Sequence, residues 1–165
     1  VSAESQDQAW DATRAASETT ELVEVLWGRG REVATAPVSA SQLKVLFILD
    51  NEDGVNLRTV TDRLGSTPPS VSRLCDRLEA VGFVNRTASP NSRRELRVWL
   101  TESGRSYLRD LRARRERELH AVVARMPPRK RAMLMEGLTA FQEAADRLDS
   151  GAGGVEREQR GFRSA

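Results

Sequence analysis

Apolar residues recur along this chain in two rhythms, and the switches between them mark its elements. Ala15, Thr19, Leu22, Leu26 and Val33 follow helical spacing, with Val23 and Trp27 widening the stripe, and predict a first helix up to about Val33. Gly28 and Gly30 weaken its end and Pro37 closes it. Val45 to Leu49 are apolar on consecutive positions, which predicts a second helix, capped by Ser41 and buried on most sides. The turn cluster Asp50-Asn51-Glu52-Asp53-Gly54 ends it. Asn56 then caps a short third helix with Leu57, Val60 and Leu64 on one face and Gly65 just past its end.

The next stretch, Thr67 to Thr101, carries the change of rhythm. Thr67 is placed as an N-cap and Pro68 at the first helical position, where its missing N–H costs nothing. Val71, Leu74, Cys75 and Leu78 share the inward face, which leaves Ser70, Ser72, Arg73, Asp76 and Arg77 outward; Gly82 ends this fourth helix. Phe83 and Val84 open a strand, and Leu96, Val98 and Leu100 alternate as a strand with one buried face does. Ser89-Pro90-Asn91-Ser92 between them is turn chemistry. Thr101 caps a long helix to about Met126, and Pro127-Pro128 separates it from a last helix. In that last helix Leu134, Leu138, Phe141, Ala145 and Leu148 form a heptad-like seam.

The predicted fold is mainly α with a small β-hairpin wing, a winged helix-turn-helix flanked by long dimerisation helices. Its expected divisions are an N-terminal dimerisation helix (1–36), a DNA-binding lobe (37–101), C-terminal dimerisation helices (102–149) and a Gly-rich disordered tail (150–165). The outer stripes have no partner in so small a core, so pairing with a second copy is expected through Leu22, Leu119, Val122, Leu134, Leu138 and Phe141.

Composition adds little to this and excludes some alternatives. The 165 residues are 39% hydrophobic and 30% charged, with a net charge of only +2, so the distribution of charge matters more than its sum. Lysine occurs only at Lys44 and Lys130; arginine supplies the remaining cations and suits bidentate contacts to phosphate and guanine, although GC-rich coding produces the same bias. Cys75 is the single cysteine, which rules out an intramolecular disulfide and suits a cytoplasmic, nucleoid-associated protein. No apolar run approaches the roughly 18 residues of a membrane span, and the start of the sequence shows no secretory signal. No Gly-rich nucleotide loop, Ser–His–Asp set or paired carboxylate appears, so no enzyme is expected; His120 stands alone, so neither a metal nor a cofactor is expected.

A helix followed by an arginine-tipped wing can read a duplex. Arg73 can bond guanine O6 and N7, Ser70 and Ser72 can meet bases or phosphates, and Arg77, one turn on, can meet a phosphate. Arg93 and Arg94 can enter the minor groove. Thr67 and the start of the fourth helix offer N–H groups to a phosphate, and Pro69 an apolar surface to a thymine methyl. The bland alternative is that Arg73 and Arg77 solvate a helix face, with Arg77 paired to Asp76 or Glu79. Cys75 is read as core, with redox sensing as its alternative. The run Arg112 to Glu118 is read as a solvated face.

In order and spacing, several blocks resemble the MarR family of bacterial transcription regulators. They are Ser41-Gln42-Leu43, Leu57 to Gly65, Ser70-Val71-Ser72-Arg73-Leu74, Asp76-Arg77-Leu78-Glu79, Gly82-Phe83-Val84-Asn85-Arg86, Arg93-Arg94 and Leu100-Thr101-Glu102-Ser103-Gly104. The resemblance spans about Ser41 to Leu111. It implies a homodimer on a pseudo-palindromic double-stranded operator and repression relieved by a small aromatic or phenolic ligand. Trp27, Phe47 and Trp99 are the pocket candidates. A ligand-independent architectural DNA-binding protein is the alternative. Two residues depart from the family pattern: Asn91 stands where an aspartate usually holds the wing arginine, and Pro69 leads the reading helix.

Overall fold

The computed structural model describes residues 3–29, 38–52, 54–89 and 92–161, with side chains placed over 6–28, 38–52, 54–88 and 96–148. Its elements are α1 (Ala3–Arg29), α2 (Ala40–Asp50), β1 (Val55–Asn56), α3 (Leu57–Leu64), α4 (Pro68–Ala80), β2 (Val84–Ser89), β3 (Ser92–Leu100), α5 (Glu102–Val123) and α6 (Pro128–Gly161). The order follows the sequence pattern, with one addition. The two-residue β1, too short to carry a periodicity, pairs Val55 with Val98 and makes an antiparallel sheet of order β1-β3-β2.

Ser39, not Ser41, caps α2. Its hydroxyl accepts from the Gln42 N–H at 3.2 Å while the Ser39 N–H donates to Gln42 Oε1 at 2.9 Å. A capping box needs an acceptor three residues on; Ser39 has Gln42, whereas Ser41 has Lys44, which accepts nothing. Within α2, Val45, Leu46 and Leu49 are buried, as consecutive apolar positions require. Asn56 caps α3 by accepting from the Thr59 N–H at 2.7 Å, and Gly65 ends it in the left-handed region at φ 57°.

Thr67 stands at the N-cap of α4 but makes no side-chain cap bond. Pro69 has removed one of the two N–H groups it would accept from, and its hydroxyl donates to Ser70 Oγ at 3.0 Å instead. Inward from α4, Val71, Cys75 and Leu78 join Val45, Leu46, Val60, Val84, Val98, Leu100 and Leu108 in one core.

The block Leu100 to Gly104 is a joint between sheet and helix. Thr101 donates its N–H to Phe83 O at 3.0 Å and its hydroxyl to Gly82 O at 2.6 Å. The same hydroxyl accepts from the Gly104 N–H at 3.1 Å, capping α5. A Cβ on Gly104 would stand 2.3 Å from Phe83 O, so only glycine lets α5 approach this closely.

The chain divides into two compact units, residues 1–119 and 120–165, and the division falls inside α5. Within the first unit, Arg115 of α5 stacks on both Trp27 of α1 and Phe47 of α2. The second unit holds the end of α5 and all of α6. That last helix extends to Gly161. No described helix is long and apolar enough to cross a membrane.

Candidate nucleic-acid interface

The outward side of α4 carries two rows of side chains. Arg73 and Arg77, four residues apart, form the first. Both are exposed, and neither enters an ion pair among the described residues. The alternative pairing of Arg77 with Asp76 or Glu79 therefore does not occur. Ser72, Asp76 and Glu79 form the second row, and Arg86 of β2 spans it. Arg86 Nη2 donates to the Ser72 carbonyl at 3.1 Å and to Asp76 Oδ1 at 2.5 Å, and its Nε lies 3.6 Å from Glu79 Oε2. The wing is thereby clamped to the helix along nearly two turns.

Thr67, Pro68, Pro69 and Ser70 are exposed at the leading end of α4, while Ser72 is half-buried. Two prolines remove the first two N–H groups of this helix, so of the first three helical positions only Ser70 has one to offer. The expected set of phosphate-binding amides is reduced to that group. The backbone of Arg93 and Arg94 lies in β3, but their side chains, and Asn91, fall outside the described residues, as does the bearing of Asn91 on Arg93.

Behind the lobe, still within the first unit, α1, α2 and α5 enclose a cavity of about 230 Å³. Trp27 and Phe47 line it as expected, together with Leu43 and Lys44 of α2 and Tyr107, Leu111, Arg114, Arg115 and Glu118 of α5. The Arg115 guanidinium sits 4.2 Å from the Trp27 ring centroid and 5.8 Å from that of Phe47. Arg112 pairs with Asp50 at 2.7 Å and lies 5.7 Å from the Phe47 ring. The indole Nε1 of Trp27 and the Glu118 Oε2 are buried there without a hydrogen-bond partner.

Two expectations change. Trp99 is not part of this cavity: Val98 and Leu100 take the core side of β3, so alternation turns Trp99 the other way. Its indole N–H donates to Thr87 Oγ1 at 2.8 Å and its ring covers Gly54, whose Cβ would stand 2.5 Å from Trp99 Cη2. The charge run of α5 is solvated only in part: Arg112, Glu116 and Arg117 are exposed, whereas Arg114, Arg115 and Glu118 form a wall of the cavity. Helical spacing held the signal: Tyr107, Leu111, Arg115 and Glu118 recur at intervals of four and three.

Cys75 is buried in the core of α4. Burial pushes its thiol above the ordinary 9.0, while the Arg86 guanidinium pulls the other way. A protonated, enclosed thiol is the core packing expected for it. Of the expected dimer residues, Leu22, Val122, Leu134, Leu138 and Phe141 are exposed and Leu119 is half-buried.

Comparison with known proteins agrees with this geometry. Residues 38–96 match the model of the MarR family. The HTH-type transcriptional regulator YfiV of Bacillus subtilis is 29% identical over 109 residues, 66% of this chain and 68% of its own. The structure of RV1404 from Mycobacterium tuberculosis superposes with a TM-score of 0.71 at 32% identity, covering 80% of this chain and 90% of that one. FabT of Streptococcus pneumoniae, solved in complex with DNA, shares the fold with a TM-score of 0.62 at 18% identity, covering 86% and 99%. With a proline-led helix clamped to a wing and two exposed arginines on its outer side that enter no ion pair among the described residues, this chain belongs to the MarR family and is a DNA-binding transcription regulator, not an enzyme.

Proposed function

We propose that the protein is a homodimeric repressor that reads a pseudo-palindromic operator and is released by a small aromatic or phenolic ligand. Arg73 reads guanine in the major groove from each copy, with Ser70 and Ser72 on neighbouring bases or phosphates and Pro69 against a thymine methyl. Thr67 and Arg77 meet phosphates, and Arg93 and Arg94 follow the minor groove. Two copies place their helices on half-sites about one helical turn apart. Support for operator binding comes from the exposed Arg73 and Arg77 and from the DNA-bound relative FabT. The exposed apolar residues of α1, and separately those of α6, support dimerisation. The expected setting is the cytoplasm, at the nucleoid.

The observation that carries ligand control is the cavity. Its volume suits a single-ring compound, its walls supply Trp27, Phe47 and Tyr107 for stacking, and Arg114, Arg115 and Lys44 outnumber Glu24 and Glu118. The buried Trp27 Nε1 supplies a donor for a phenolate or carboxylate oxygen. Such a ligand would compete with Arg115 for the Trp27 face and alter how α5 holds α1 and α2.

Gel-shift titration across the chain's own upstream region, with and without a panel of phenols and aromatic acids, tests both parts. A selective complex that dissolves with one class of compound is expected. Uniform, sequence-blind binding would refute the operator reading. Selective binding that no compound changes, with no thermal stabilisation of the free protein, would leave an architectural DNA binder.

A further inference from the structure

We propose that Arg86 is a positioning residue for DNA reading, holding Asp76 so that it does not compete for Arg73 and drawing both Asp76 and Glu79 away from the phosphates. The inference rests on the operator reading above and adds to it a residue that touches no DNA. Asp76 lies three residues from Arg73, so the two are surface neighbours and would pair across α4 if nothing else held the carboxylate. Arg86 does hold it, at 2.5 Å, with Glu79 at 3.6 Å and the Ser72 carbonyl at 3.1 Å. Its side chain is only 16% exposed, whereas Asp76 is 58% and Glu79 45% exposed. The arginine is therefore fixed by its surroundings and the carboxylates come to it.

Two consequences follow for binding. Arg73 and Arg77 pair with no carboxylate of the described residues, so no such ion pair has to break before they reach a duplex. One of the two negative charges beside the DNA-facing row is offset by a residue of the wing, both carboxylates are drawn towards it, and helix and wing approach the duplex as one body.

The test compares operator affinity and thermal stability for the wild type, Arg86→Gln, the pair Asp76→Asn/Glu79→Gln, and all three substitutions together. Arg86→Gln is expected to weaken selective binding about 10-fold or more, the order of losing one good base contact. Adding Asp76→Asn and Glu79→Gln is expected to bring affinity back to within about 3-fold of wild type, because the competing charges are gone. Thermal stability should not return with it, since the clamp is still absent. Asp76→Asn/Glu79→Gln alone is expected to bind at least as tightly as the wild type, and this variant keeps Arg86 in place should Arg86→Gln fold poorly. Unchanged affinity in Arg86→Gln would overturn the proposal. So would a triple variant that binds as weakly as Arg86→Gln, or a 10-fold loss in the carboxylate pair alone. A wild type without sequence preference would remove the operator reading itself, whereas a selective wild type with no rescue refutes this inference only.

Discussion

At the scale of single residues, what decides a role is which partner each charge already has. Asp76 and Glu79 are occupied by Arg86, and Arg73 and Arg77 enter no ion pair among the described residues. Arg73→Ala is expected to cost about 1–3 kcal/mol of operator binding and to relax preference at one base position. Arg77→Ala should weaken all sequences alike and lower the slope of affinity against salt by about one. Selection of bound sites from a random pool, at two salt concentrations, separates the two. Cys75 gives a second case. Its folded thiol titrates above the ordinary 9.0, so on raising pH the unfolded chain ionises first. Its contribution to stability is complete below that value and is lost as pH rises towards the folded value. Melting temperatures from neutral pH to above 9 should therefore fall more steeply for wild type than for Cys75→Ala. The reactive-sensor alternative would instead show rapid alkylation of the native thiol at neutral pH.

At the scale of elements, glycines and caps explain why the helices meet the sheet where they do. Gly104→Ala would drive a methyl group into Phe83 O and break the joint between β3 and α5, an overpacking cost of about 1–3 kcal/mol readable by chemical denaturation. Most of this architecture was legible beforehand, because α2, α3 and α4 each carry an apolar face at helical spacing and Leu96, Val98 and Leu100 alternate. The misses have particular causes. The cap of α2 lies at Ser39 and not at Ser41 because only Ser39 has a reciprocal acceptor, Gln42, and β1, at two residues, is too short to show a period. Trp99 lies outside the cavity because its neighbours Val98 and Leu100 take the core side of β3. Charge suggests water for Arg112 to Glu118, and Arg112, Glu116 and Arg117 are exposed, yet Arg115 rests its guanidinium on two aromatic rings. Trp27→Phe, which keeps the ring and removes the buried donor, should leave operator affinity intact while reducing release by any aromatic acid. Arg115→Ala should change both ligand response and the free protein's melting temperature.

At the scale of the whole molecule, helix α6 exposes Leu138, Phe141 and Leu148, the last two by 68% and 76%, far more apolar surface than a solitary helix keeps in water. Leu138→Glu with Phe141→Glu should convert the expected dimer to monomer in sedimentation. Operator affinity should drop at least 100-fold as the two half-sites become independent, because the second contact loses its effective concentration. The sequence by itself determined the order of helices, the inward face of α4, the wing and the family. Each of these is a local period or a motif at fixed spacing, and local patterns survive without knowledge of distant residues. The tertiary structure alone decided that Arg86, ten residues beyond Asp76, clamps the reading helix. It also decided that Arg115 of α5 closes a cavity between Trp27 and Phe47, and that Gly54 lies under Trp99. Arg86 and Asp76 are near in sequence but sit on different elements, and the other partners are far apart in the chain; each pairing arises from the close packing of one core and from no local period.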